Sequence, residues 1–97
     1  MQPSAKLSRR RSRRYERAAL RYRSHGVHQY AIYMAQRSVQ MWRPVSASHP
    51  ARAARALAVL AACLNTRGRV REGLVALEEC LTLCRSASAT TNVADWA

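Results

Sequence analysis

The sequence predicts an all-α protein built from two helix-turn-helix units. Three observations carry that expectation. Apolar residues recur at three- and four-residue steps in four separate stretches, the spacing of amphipathic helices. The chain is 48% apolar yet has no Phe and few aromatics; alanine supplies much of the apolar share, which suits closely packed helices better than a sheet. Finally, HGVHQYAIYMAQRSVQMWR (His25 to Arg43) aligns with RGRVREGLVALEECLTLCR (Arg67 to Arg85) at an offset of 42 residues. Gly26 then falls on Gly68, Ile32 on Leu74, Val39 on Leu81, Met41 on Leu83 and Arg43 on Arg85.

Residues 1–8 (MQPSAKLS) are polar, carry a proline and show no period, so they read as a disordered basic tail. From about Arg9 to Ser24 apolar residues stand at Tyr15, Ala18, Ala19 and Tyr22, with Arg10, Arg14, Arg17 and Arg21 as the opposite stripe. Gly26 suits a C-terminal cap, because glycine adopts the left-handed conformation without a Cβ penalty. A second helix is predicted from about His28 to Trp42, with Ala31, Ile32, Ala35, Ser38, Val39 and Trp42 on one face and Met34 and Met41 widening it. Pro44 disfavours a helical residue before it and ends that helix, so residues 44–49 read as a loop. Ser48 is the expected N-cap of the next helix, and Pro50 fits its first turn.

The third helix is predicted over roughly Pro50 to Thr66, with Leu57, Leu60, Ala61 and Leu64 inward. Arg67-Gly68 repeats the break at His25-Gly26. The fourth is predicted from about Val70 to Arg85, burying Leu74, Leu77, Cys80, Leu81 and Cys84, with residues 87–97 as a tail or the start of a further helix. The units are thus 9–43 and 50–86. The same offset puts Tyr15 on Leu57, Ala18 on Leu60, Ala19 on Ala61 and Tyr22 on Leu64. Paired breaks and paired inward positions together point to a genuine repeat.

The pattern Leu57, Leu60-Ala61, Leu64, and its weaker counterpart Tyr15, Ala18-Ala19, Tyr22, resembles a tetratricopeptide repeat. In that family helical hairpins stack into a solenoid. The turn glycines Gly26 and Gly68 match it, as do small residues where the second helix of each unit crosses the first: Ala31 and Ser38, then Gly73 and Cys80. A glycine inside a helix costs ~1 kcal/mol relative to alanine, which makes sense where a neighbouring helix needs the space. The usual unit is ~34 residues; the longer period here resembles kinesin light chains and bacterial and fungal multi-repeat proteins. Because ~3 units are normally needed for stability, two suggest a fragment of a longer array, a capping tail, or self-association through exposed repeat ends.

The resemblance implies a non-catalytic protein-interaction scaffold whose concave side is lined by the first helix of each unit. Those positions are Arg13, Glu16, Leu20 and Arg23, then Arg55, Ala58, Ala62 and Asn65. Arg13, Arg23, Arg55 and Asn65 are the candidate peptide-binding residues, for an acidic or extended segment. Some relatives grip a C-terminal carboxylate of a chaperone with Lys and Asn; here Glu16 and Leu20 stand in their place, so that partner is not expected.

Charge offers a second reading. The net charge is +12, and residues 6–23 hold nine Lys or Arg against the single Glu16. Such an arm suits nucleic acid or another anionic surface, with Arg9, Arg10, Arg11, Arg14, Arg17 and Arg21 as the contacts. An Arg- and Ser-rich start also resembles a mitochondrial transit peptide, but Tyr15, Ala18, Ala19 and Tyr22 fit the fold. No apolar run approaches the ~18 residues of a membrane span. Three cysteines, an odd number, suit a reducing compartment, so the expected location is intracellular, cytoplasmic or alternatively nuclear.

Neither an enzyme nor a cofactor nor a metal site is expected. Cys80 and Cys84, one helical turn apart, have no second pair to complete a zinc set and read as core. Cys63 is a lone thiol near Arg67. His25, His28 and His49 lie at junctions, with no carboxylate pair or nucleophile in a catalytic order.

Overall fold

The computed structural model describes residues 5–96, with side chains described for 9–88. Four α-helices follow one another: α1 (Ala5–Ser24), α2 (His28–Trp42), α3 (Pro50–Arg67) and α4 (Val70–Trp96), with a single 3-10 turn at Arg43–Val45. Among the described residues there is no strand. Each helix packs on the next in sequence, and α1 also touches α3. The third helix is therefore central. At about 1.5 Å per residue α4 is ~40 Å long, which accounts for the longest dimension of 46 Å.

The two turns close in the same way, 42 residues apart. Gly26 and Gly68 both take left-handed φ values, 76° and 93°. Val27 N–H donates to Tyr22 O at 2.9 Å, and Arg69 N–H donates to Leu64 O at 2.9 Å. Gly26 N–H reaches Arg23 O, and Gly68 N–H reaches Asn65 O. These are the two bonds by which a glycine after a helix satisfies its last carbonyls.

On α2 the buried set is Ala31, Ile32, Ala35, Ser38, Val39 and Trp42, the face that periodicity predicts. Leu57, Leu60, Ala61 and Leu64 of α3 are buried as expected, and Ala53, Ala54, Ala56 and Cys63 join them because α3 has neighbours on three sides. Alanine at so many positions lets those neighbours come close.

Elsewhere the structure differs from the sequence reading. Helix α1 starts at Ala5, inside the stretch expected to be a disordered tail; residues 1–4 lie outside the described residues. Its most buried positions are Ser12, Glu16 and Ala19, while Tyr15, Ala18 and Tyr22 are half-buried. The buried face is rotated because α1 is covered from two directions, by α2 and by α3. His49, not Ser48, holds the N-cap position of α3, without a side-chain cap bond, and Pro50 opens the helix.

Helix α4 departs most. It continues to Trp96, through the segment expected as a tail or a new helix. Its buried residues are Gly73, Ala76 and Cys80, with Leu77, Leu83 and Ala87 half-buried, whereas Leu74, Leu81 and Cys84 are exposed. The helix carries two apolar faces, and α3 packs on the one whose small residues permit close approach.

Candidate functional site

The richest chemistry lies where α1, α2 and α3 meet. Glu16 is 4% exposed, and its carboxylate accepts hydrogen bonds from Ser12 Oγ at 3.2 Å, Ser38 Oγ at 3.3 Å and Arg55 Nε at 3.1 Å. Trp42 Nε1 donates to Ser12 Oγ at 2.6 Å, and the two serine hydroxyls are 2.9 Å apart. Trp42 N–H donates into this cluster at Ser12, and the two serine protons are shared among the carboxylate and the Ser12–Ser38 contact, in which either hydroxyl can donate. Hydrogen bonds so linked polarise one another in a low-dielectric site. A buried carboxylate is tolerated only when hydrogen-bonded and paired, and this one is both.

Above the carboxylate the cations outnumber it. Arg9, Arg13, Arg52 and Arg55 line one small cavity together with Ser12, Glu16 and Trp42. Burial pushes the Arg52 guanidinium down from its ordinary range, and the charges of Arg9 and Arg13 push the same way while Glu16 opposes them. Arg52 also lies 5.9 Å from the Trp42 ring centre, a cation–π distance. His49 meets the same ring edge-on at 5.5 Å. Among the described residues Glu16 is the one acidic side chain lining this cavity, facing Arg13, Arg52 and Arg55.

A groove of about 240 Å³ continues from there between α1 and α3, lined by Arg13, Glu16, Arg17, Leu20, Arg55 and Val59. Of the expected peptide-binding residues, Arg13 and Arg55 come together in it. Arg23 does not; its Nε donates to Thr66 Oγ1 at 2.6 Å, bridging α1 and α3 further along. Because Glu16 pairs with Arg55 and Arg23 with Thr66, the two helices run in the same direction. Asn65 lies apart from both, its amide held over Gly73 of α4.

The remaining arginines of α1 are exposed. Arg10, Arg14, Arg17 and Arg21 form an outward stripe at three- and four-residue steps, and Arg11 is exposed beside it. Periodicity alone identifies that stripe. What sequence reasoning missed is the polar centre: Ser12, Ser38 and Arg52 carry roles that composition does not announce. One signal was available, since Ser12, Glu16 and Ala19 stand at four- and three-residue steps, the spacing of one buried helix face.

The cysteines divide. Cys63 and Cys80 are buried, Cys84 is exposed, and all three are free. Burial pushes the Cys63 thiol up, with Arg23 opposing. Burial does the same to Cys80, with neighbouring Cys84 adding to it, and Cys80 Sγ donates to Ala54 O at 3.2 Å. The exposure of Cys84 corrects its assignment to the core. His25 is exposed and His28 half-buried. Among the described residues, no three His, Cys, Asp or Glu side chains group as metal ligands, and no helix is long and apolar enough to cross a membrane.

Compared with known proteins, the chain matches no family model, no curated protein and no solved structure.

Proposed function

We propose that this chain is a non-catalytic interaction module, two helical hairpins of tetratricopeptide type, that takes an acidic, extended peptide segment along the α1–α3 face. The observation that carries the reading is the cluster of Arg13, Arg52 and Arg55 around one buried carboxylate. Glu16 cannot neutralise the guanidiniums of Arg13, Arg52 and Arg55 together, so surplus charge is available to an incoming anion. Leu20 and Val59 add an apolar side to the groove, which suits an acidic segment carrying an apolar side chain. Carboxylates on a guanidinium form charge-assisted, often bidentate hydrogen bonds, roughly twice as strong as neutral ones. Three free thiols fit a reducing, intracellular setting for that partner.

The test uses the full chain and a fluorescently labelled peptide alternating Glu with Leu. Arg13→Glu with Arg17→Glu reverses two exposed charges in the groove without touching the Glu16–Arg55 pair. Binding should weaken at least ~10-fold, a change of ~1.4 kcal/mol. Equal affinity for the variant, with its helical circular dichroism intact, rejects the reading.

A second reading rests on a different observation, the outward stripe Arg10, Arg14, Arg17 and Arg21. It would take nucleic acid or another anionic surface through phosphates. DNA affinity would then fall with salt at a log-log slope near −0.9 per phosphate neutralised. Arg10→Ala with Arg14→Ala and Arg21→Ala should flatten that slope while leaving the acidic peptide bound. Arg17 borders both faces, so the triple substitution, which spares it, is the one that separates them.

A further inference from the structure

Helix α4 leaves an apolar seam largely uncovered, with Leu77 in its middle half-buried against the core. Val70, Leu74, Leu77 and Leu81 recur at four-, three- and four-residue steps, the a/d spacing by which two helices interlock. Leu74 and Leu81 are 52% and 54% exposed, and Val70 is 54% exposed. Scattered surface leucines are ordinary, but a row of them on one helix marks a contact face. The contrast with α2 sharpens this. Ile32 and Val39, which lie 42 residues before Leu74 and Leu81, are each 4% exposed because neighbouring helices cover them. Beside the seam, α3 and α4 leave an open groove of about 510 Å³, lined by Ala51, Ala54, Ala58, Cys80, Cys84 and Ala87 among others. Small apolar side chains at such a groove allow a further helix to approach closely.

The chain's own chemistry narrows what covers this face. At the opposite end of the helix row, α1 turns Arg10, Arg14, Arg17 and Arg21 outward. Stacking copies head to tail would press those guanidiniums onto leucines, a burial of charge without partners. The same helix face met twice has no such conflict. Along one edge of the seam run Arg71, Glu78 and Arg85 at seven-residue steps, all exposed. When two such helices pair antiparallel, like edges face each other, and with Val70 opposite Leu81 and Leu74 opposite Leu77 the Glu78 of one lies nearest Arg71 of the other. In that register the Glu78–Arg71 pair forms twice about the axis, as a two-fold interface requires.

We propose that Val70, Leu74, Leu77 and Leu81 form the contact surface for a second copy of this chain, two α4 helices packing antiparallel about a two-fold axis. The surface is separate from the α1–α3 groove and does not depend on what that groove binds.

Analytical ultracentrifugation of the full chain, with reductant present to exclude disulfides, tests the proposal. The expected result is a concentration-dependent dimer. Leu74→Glu with Leu81→Glu should sediment as a monomer with helical circular dichroism retained, since both side chains are exposed. A charge exchange guards against misfolding of that variant. Glu78→Arg should weaken association at least tenfold, and adding Arg71→Glu should restore it. A wild-type chain still monomeric at about 1 mM, a ceiling corresponding to only ~4 kcal/mol of binding, overturns the proposal. So does a dimer indifferent to both sets of substitutions, or a monomer that associates only with an unrelated helix.

Discussion

Trp42 Nε1 donates to Ser12 Oγ at 2.6 Å, which ties the last residue of α2 to the buried face of α1. The indole is 3% exposed, so this bond is shielded from bulk solvent. Ser12→Ala should therefore strand a buried donor and lower stability by ~1–3 kcal/mol. Ser38→Ala should cost less, because Trp42 keeps Ser12 and the carboxylate keeps Ser12 and Arg55. Urea unfolding followed by circular dichroism gives both values; Ser38→Ala costing more than Ser12→Ala would show that the Trp42–Ser12 bond is not the contact that matters most.

The charge on Glu16 has its own consequence. Glu16→Gln keeps an acceptor for the serine hydroxyls but removes the negative charge that faces Arg13, Arg52 and Arg55. Repulsion between exposed cations is screened by salt, with a Debye length of ~10 Å at about 0.1 M. The variant should therefore melt well below wild type in dilute buffer and regain part of the difference at high salt. A melting temperature lowered equally at both ionic strengths would mean that lost hydrogen bonds, not charge, explain the effect.

These two relationships show what the sequence could and could not disclose. Helix α2 was legible to the residue because its apolar face is unbroken and Gly26 and Pro44 bracket it. Gly68 likewise marks the α3–α4 turn, where only a residue without Cβ takes φ of 93° at no cost. Periodicity failed where a helix has more than one kind of neighbour. On α1 the apolar stripe at Tyr15, Ala18 and Tyr22 marks a flank of the buried face, whose centre is polar. On α4 it counted Leu74 and Leu81 as inward, because alternation records which side chains are apolar and not which of two apolar faces is covered. Of the candidate site, Arg13 and Arg55 were reached only as positions that the tetratricopeptide resemblance implies. The serine–tryptophan–carboxylate centre was not, since it depends on three helices meeting.

The thiols give a pH dependence with a definite sign. Cys63 and Cys80 are both held above the ordinary thiol value of 9.0, so the folded chain keeps their protons to higher pH than the unfolded chain does. Their contribution to stability is complete below the unfolded value and is lost as pH rises through the folded one. Unfolding free energy should thus decline above about pH 9, and less steeply in Cys63→Ala with Cys80→Ala. At neutral pH, exposed Cys84 should react with a thiol reagent first, with the other two following only on opening. Three equally fast thiols would show that α3 and α4 do not stay packed.

Gly73 lies in α4 where an alanine Cβ would run into the Asn65 side-chain amide, while the Ala61 carbonyl oxygen would stand at an ordinary 3.5 Å. The obstacle is thus one exposed, rotatable side chain and not the backbone of α3. Replacing a helical glycine with alanine is worth ~1 kcal/mol in propensity. Gly73→Ala alone should be close to neutral, the propensity gain offset by displacing Asn65. In an Asn65→Ala background the same substitution should stabilise the chain by most of that ~1 kcal/mol, a coupling that a double-mutant cycle reads directly. An identical effect in both backgrounds would mean that Asn65 is not what the glycine accommodates, and that the close approach of α3 to α4 sets the preference instead.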